Sequence, residues 1–169
     1  MSVTLLRVTS PQLFPKEIEM DVKQLAQDTV DMFNDRSYRQ KAKDVMDSNV
    51  VVTDRPSGQE MHGPDGYVQY SDGFVNAMPD LKGTAIEHNV SGKKVTTRVQ
   101  GKGTFTGTLQ TPQGNVPGNG NPVDIEYQLE QEFNDAGKMV RLAVNYDMQD
   151  FQSQLGMFGE SGIRRPPGG

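Results

Sequence analysis

In the stretch "VRLAVNYDMQDFQSQLG", Val140 to Gly156, an apolar strand runs out into a polar, helix-like tail, and Asp147 stands at the junction. An acid there can do one of two things. Enclosed in an apolar pocket, its ionised form is penalised and its pKa climbs from about 4 toward neutrality, where one group can both take and return a proton. Facing solvent, it caps the helix that follows, with Asp150 three residues on. Gln131 is the second candidate. It is the one polar side chain in the row Ile125, Tyr127, Leu129, Gln131, Phe133, which alternates with Asp124, Glu126, Gln128, Glu130 and Glu132. That pattern predicts a half-buried strand with an acidic outer face. A buried amide needs partners. Gln131 either orients Asp147 or a substrate carbonyl, or the row leaves the core near its turn and the amide is wet.

Other side chains could line a pocket. Tyr67, Tyr70 and Phe74 share one face of a helix that ends before Pro79, as ordinary core or as a wall for a flat ligand. Phe33 and Asn34 end the first helix, where Asn34 serves as a C-cap or as a polar pocket group. Phe105 points inward by register with Val95, Thr97 and Val99. Asn145 lies two residues before Asp147 and shares its face. His62 precedes a helix, a position compatible with a pocket mouth, and His88 shares a strand face with Ile86 and Val90. Asp54, before Arg55-Pro56, reads as a turn residue. The two histidines are far apart and there is no cysteine. No metal-ligand spacing exists, so no metal is expected. "GKGTFTG" lies on a strand and does not open a helix, so it is no phosphate loop.

The elements that must position these residues follow from periodicity. Pro15 suits the first turn of a helix, and Ile18, Val22, Leu25, Thr29 and Phe33 continue it. "SYRQKAKDVM" predicts a second helix, "NVVVTD" a strand, and Tyr67 to Ala77 a third helix. A long meander follows: "TAIEHNV", "VTTRVQGKGTF", Asp124 to Phe133, and Met139 to Asp147. The Gly/Pro/Asn segment Thr111 to Pro122 is expected to be a mobile loop near a pocket mouth. Helices followed by strands indicate α+β. A strongly curved, mostly antiparallel sheet with helices on its concave face would enclose a pocket. Residues 1–14 read as an extended arm, 15–156 as a single domain, and 157–169 as a flexible tail.

A chain of 169 residues with net charge −5 suits one domain. It argues against nucleic acid and against an anionic membrane surface as partners. No segment reaches the roughly 18 apolar residues of a membrane span, and the N-terminal stretch lacks a basic leader. A cytoplasmic, soluble protein is expected.

"HGPDGYVQYSDGFVNAMPDL", "TRVQGKGTFTG", "NDAGK" and "YDMQDFQSQLG" together resemble the SnoaL-like polyketide cyclases, or ester cyclases, of the nuclear-transport-factor-2-like fold. The resemblance spans about Val22 to Gly156. It implies cofactor-independent, intramolecular aldol closure of a hydrophobic, carbonyl-rich small molecule, and a homodimer formed through the outer sheet face. Leu155 and Gly156 follow Asp147 at the family's spacing from its acid/base, so that role carries to Asp147. The family's Gly-Thr-His-Thr-Gly reads Gly103-Thr104-Phe105-Thr106-Gly107 here, without the histidine, and the loop after it is longer. The same pocket serves hydroxylases, isomerases, dehydratases and epoxide hydrolases, and the fold also serves as a non-catalytic ligand-binding or dimerisation module.

Overall fold

A computed structural model describes residues 21–157. The expected arm, the expected helix start at Pro15 and the expected tail, apart from Met157, lie outside the described residues.

The first described helix, α1 (Val22–Asn34), begins where the Asp21 carboxylate accepts the Gln24 N–H at 3.1 Å. It turns Ala26, Thr29, Val30 and Met32 into the core. A short helix, α2 (Tyr38–Val45), leads into β1 (Met46–Asp54). A tight turn and β2 (Gln59–His62) follow, then α3 (Gly63–Ala77), whose Pro64 sits in the first turn, where no N–H is missed. The meander is β3 (Lys82–Ser91), β4 (Lys94–Phe105), β7 (Asn121–Phe133) and β8 (Met139–Asn145), and α4 (Met148–Gln154) closes it.

The curved sheet runs β2-β1-β8-β7-β4-β3. All its pairings are antiparallel except β1 with β8, which run parallel with Asp54 opposite Val144. The α+β reading holds, with helices on the concave face. The outer face carries cross-strand ion pairs, including Arg98 with Glu87 and Glu126, and Arg55 with Glu130. This is the acidic face that the alternation along β7 predicts.

Residues 111–122 are not the irregular loop expected from their glycines and prolines. Part of the stretch pairs as a separate hairpin, β5 (Thr108–Thr111) with β6 (Gly114–Pro117). Leu109 and Val116 pack against the core. Asn119 and Asn121 donate to the Leu155 and Gln154 carbonyls at 2.9 and 3.1 Å, fastening the stretch to α4.

Two apolar clusters fill the concave side. One gathers α1, α2, α3 and the sheet around Val30, Tyr38, Val52, Tyr67 and Leu142. The other joins the end of α3, Phe105, Ile125 and α4 through Phe151 and Leu155. The candidate site lies where they meet.

Candidate active site

A cavity of about 90 Å³ separates the two clusters. A single water needs roughly 10–15 Å³, so the space holds several waters or a small organic molecule. Its walls come from α1 (Val30, Phe33), α3 (Tyr67, Tyr70, Ser71, Phe74), β7 (Ile125, Tyr127, Leu129) and β8 (Leu142, Val144). Tyr146 and Phe151 close one side. Among the described residues, no lysine, arginine or histidine lines it.

The chain has five tyrosines, and four of them, Tyr67, Tyr70, Tyr127 and Tyr146, line the cavity. The fifth, Tyr38, backs the wall: it stacks on Phe33 at 5.8 Å and meets Tyr67 edge-on at 6.0 Å. Its hydroxyl donates to Asp72 at 2.5 Å, pinning α2 to α3. Burial pushes the Tyr127 phenol up to about 12, and it raises Tyr67 as well. Tyr70, Phe74, Tyr146 and Phe151 pack edge to face, except Phe74 with Phe151, which are tilted at 58°, with ring centroids 5.1–6.3 Å apart. That is the separation at which such pairs attract.

Tyr127 has a seat cut for it. Gly83 and Gly101 face each other across β3 and β4. A Cβ on Gly83 would lie 2.7 Å from the Tyr127 hydroxyl, and one on Gly101 would lie 2.8 Å from its ring. Gly83 and Gly101 thus make room for an aromatic side chain.

Behind the phenols stands Asp54, 4% exposed. Tyr70 donates to its Oδ1 at 2.7 Å and Ser57 to its Oδ2 at 2.6 Å. The Tyr146 phenol also faces this carboxylate, and burial together with the Asp54 charge raises its pKa and that of Tyr70. Both phenols therefore stay protonated at neutral pH. The result is an acid coupled through aromatic hydroxyls to an apolar cavity.

The residues singled out from sequence divide. Phe33, Tyr67, Tyr70 and Phe74 line the cavity. Asp147 does not: it is exposed, and its Oδ1 accepts the Asp150 N–H at 3.0 Å as the N-cap of α4. Strand alternation is the reason. Leu142, Val144 and Tyr146 point into the cavity, so Asn145 and Asp147 share a face, as expected, but the outer one. Asn145 is exposed and supplies no pocket group. Gln131 is buried at 1% exposure but lies beyond the cavity, its Nε2 3.5 Å from Thr97 Oγ1. Asn34 is neither C-cap nor pocket group. Its amide donates to the Gly83 carbonyl at 2.7 Å and accepts the Gly83 N–H at 2.8 Å, covering the edge of β3. Phe105 is fully buried in the second cluster, away from the cavity wall. His62 is exposed beside Glu60 and does not reach the cavity.

Asp54, Tyr146 and Phe151 were not among the expected site residues. A signal for Asp54 was present: Val50, Val52 and Asp54 alternate with Val51 and Thr53, so the acid continues an inward row. Among the described residues no cluster of three or more His, Cys, Asp or Glu could hold a metal. None of the described helices is long and apolar enough to cross a membrane.

Residues 23–155 match the family model described as SnoaL-like polyketide cyclase. No curated protein matches the sequence. Among solved structures, one from Jannaschia sp. CCS1 assigned as a SnoaL-like polyketide cyclase is 16% identical, with a TM-score of 0.69, over 86% of this chain and 94% of that one. AclR from Streptomyces galilaeus, assigned as a hydroxylase, is 21% identical with a TM-score of 0.67, over 86% and 84%. A ketosteroid isomerase-like protein from Catenulispora acidiphila, bound to trimethylamine, is 11% identical with a TM-score of 0.64, over 78% and 92%.

Proposed function

Because the chain belongs to the SnoaL-like polyketide cyclase family, we propose that it is a cofactor-independent enzyme that enolises and cyclises a neutral, carbonyl-rich small molecule, with Asp54 and Tyr70 as its proton-transfer pair. The observation that carries this reading is the buried Asp54 carboxylate holding the phenol of a cavity-lining tyrosine.

The chemistry needs one group that takes a proton and gives it back. A C–H between two carbonyls loses its proton to the Tyr70 oxygen as the Tyr70 hydroxyl proton passes to Asp54 Oδ1. The enolate oxygen finds donors in the phenols, which burial keeps protonated. The enolate carbon then bonds to a second carbonyl carbon. That carbonyl's π bond breaks, and its oxygen takes a proton from Tyr70 while Asp54 reprotonates Tyr70. Asp54 thus takes the acid/base part that the family spacing assigns to Asp147. The absence of cationic side chains from the lining among the described residues favours neutral ligands over carboxylates and phosphates.

A generic probe tests this: exchange of the C1 protons of 2-tetralone in D₂O, followed by proton NMR. Wild type accelerates the exchange, and Asp54→Asn loses the acceleration. A non-catalytic module would leave the buffer rate unchanged with either protein. A homodimer through the outer sheet face belongs to the same reading, supported by the breadth of that six-stranded face. A concentration-independent monomer mass in solution removes it.

A further inference from the structure

Asp54 has two oxygens, and they face different worlds. Oδ1 holds the Tyr70 phenol in the cavity wall. Oδ2 accepts a hydrogen bond from Ser57 at 2.6 Å. Ser57 is exposed, in the turn between β1 and β2. The turn is held firmly. Gly58, at φ 76°, donates its N–H to the Asp54 carbonyl at 2.7 Å, and Arg55 N–H bonds the Val144 carbonyl at 2.9 Å. The Arg55 side chain pairs with Glu130 at 2.7 Å. Gln59 N–H approaches Ser57 Oγ at 3.2 Å and fixes the hydroxyl from the far side. An acid that is almost inaccessible to water is thus joined to the surface by one ordered hydroxyl.

We propose that Ser57 is the proton port of the site, a positioning residue through which buried Asp54 exchanges protons with bulk water. The proposal rests on the reading of Asp54 and Tyr70 as the proton-transfer pair. In the step, the carboxyl that Tyr70 has protonated turns about its Cβ–Cγ bond and brings the protonated oxygen to Ser57; it gives that proton to Ser57 Oγ while the Ser57 hydroxyl proton leaves to a surface water. The reverse transfer recharges the acid, and no oxidant, reductant or further reactant takes part. Two consequences follow. With the port open, a proton taken from the substrate is lost to solvent before it can return. With the port closed, the same proton returns to carbon and the substrate leaves unlabelled.

Threonine and valine have nearly the same shape and differ in the hydroxyl, so Ser57→Thr and Ser57→Val isolate the port from any effect on packing. The experiment measures deuterium uptake into 2-tetralone in D₂O by wild type, both variants and Asp54→Asn, with melting temperatures recorded alongside. The expected result is near-wild-type uptake for Ser57→Thr and roughly ten-fold lower uptake for Ser57→Val at similar melting temperatures, less than the roughly 10²–10⁴-fold for a lost acid/base group because Asp54 and Tyr70 are both retained. A residue that only braces the turn would move melting temperature and leave the Thr and Val variants alike in uptake. Equal uptake in those two, with Asp54→Asn inactive, overturns the port and leaves the site reading intact. Wild-type uptake in Asp54→Asn, or no acceleration by wild type, overturns the site reading and the port with it.

Discussion

Strands β1 and β8 lie side by side and parallel, and each runs out toward an aspartate. At the end of β1, Asp54 keeps step with Val50 and Val52 and is buried. Beyond the end of β8, Asp147 falls out of step with Leu142, Val144 and Tyr146 and is exposed. Both acids accept a local hydrogen bond three residues ahead, Asp54 from Ser57 and Asp147 from Asp150. Only Asp54 also receives a phenol from the cavity wall. A one-residue difference in phase separates an acid with access to chemistry from one that starts a helix.

The strongest way to break this comparison is to neutralise each acid in turn. Asp54→Asn keeps the shape but cannot ionise, and its single carboxamide oxygen accepts from only one of Tyr70 and Ser57. It should cost about 10²–10⁴ in ketone exchange while the protein stays folded. Asp147→Asn should leave exchange within about two-fold of wild type, since asparagine caps a helix nearly as well. If the two variants exchanged their effects, Asp147 would regain the acid/base role and the cavity assignment to Asp54 would fall.

Much of the architecture was legible because it rests on long periodic signals. The row Ile125 to Phe133 identifies the inner face of β7, and the spacing of Tyr67, Tyr70 and Phe74 identifies the cavity face of α3. The acid was not legible from family spacing, because spacing along the chain does not report which face a strand-end residue takes. The alternation of Val50, Val52 and Asp54 does report it, but a following Arg-Pro turn makes an acid look like a turn former. Asn34 and Gly83 pair across 49 positions of sequence, and no local pattern announces such a bond. The hairpin at 108–117 was hidden by glycines and prolines that read equally well as an irregular loop.

Stability sharpens the comparison from the other side. Tyr70→Phe removes a donor from a buried carboxylate, so it should destabilise by about 1–3 kcal/mol and also slow exchange. Asp147→Ala removes only a cap and should destabilise by about 0.5–2 kcal/mol with exchange unchanged. Urea denaturation paired with the exchange assay reads both quantities. A Tyr70→Phe protein with wild-type stability and rate would show that the bond to Asp54 contributes nothing.

The smallest effect concerns a second inward-facing polar group, far from the acid. His88 Nε2 lies 2.9 Å from Gln27 Oε1, which can only accept, so this nitrogen carries the proton. Nδ1 then accepts from the Thr97 hydroxyl at 2.8 Å, and Thr97 in turn lies 3.5 Å from Gln131 Nε2. Protonating His88 would force Thr97 to turn its hydroxyl around and would place a second cation near Lys23. Burial, followed by the Lys23 charge, accordingly lowers the His88 pKa below its ordinary 6.5. The unfolded chain therefore binds more protons than the folded one below that value. Stability contributed by neutral His88 is present above pH 6.5 and is lost as pH falls through it, levelling off below the folded pKa. His88→Gln can keep both bonds without titrating, so its melting temperature should fall less than that of wild type between pH 7.5 and 5.5. Groups such as His62 titrate in both proteins and cancel in the difference. Ketone exchange at Asp54 should not change, because His88 touches no cavity residue through these bonds. Parallel melting curves across that pH range would remove His88 as a source of the pH dependence. A loss of exchange in His88→Gln would mean that inward-facing polar groups of this sheet act together, and that the phase of β1 alone does not set the chemistry of Asp54.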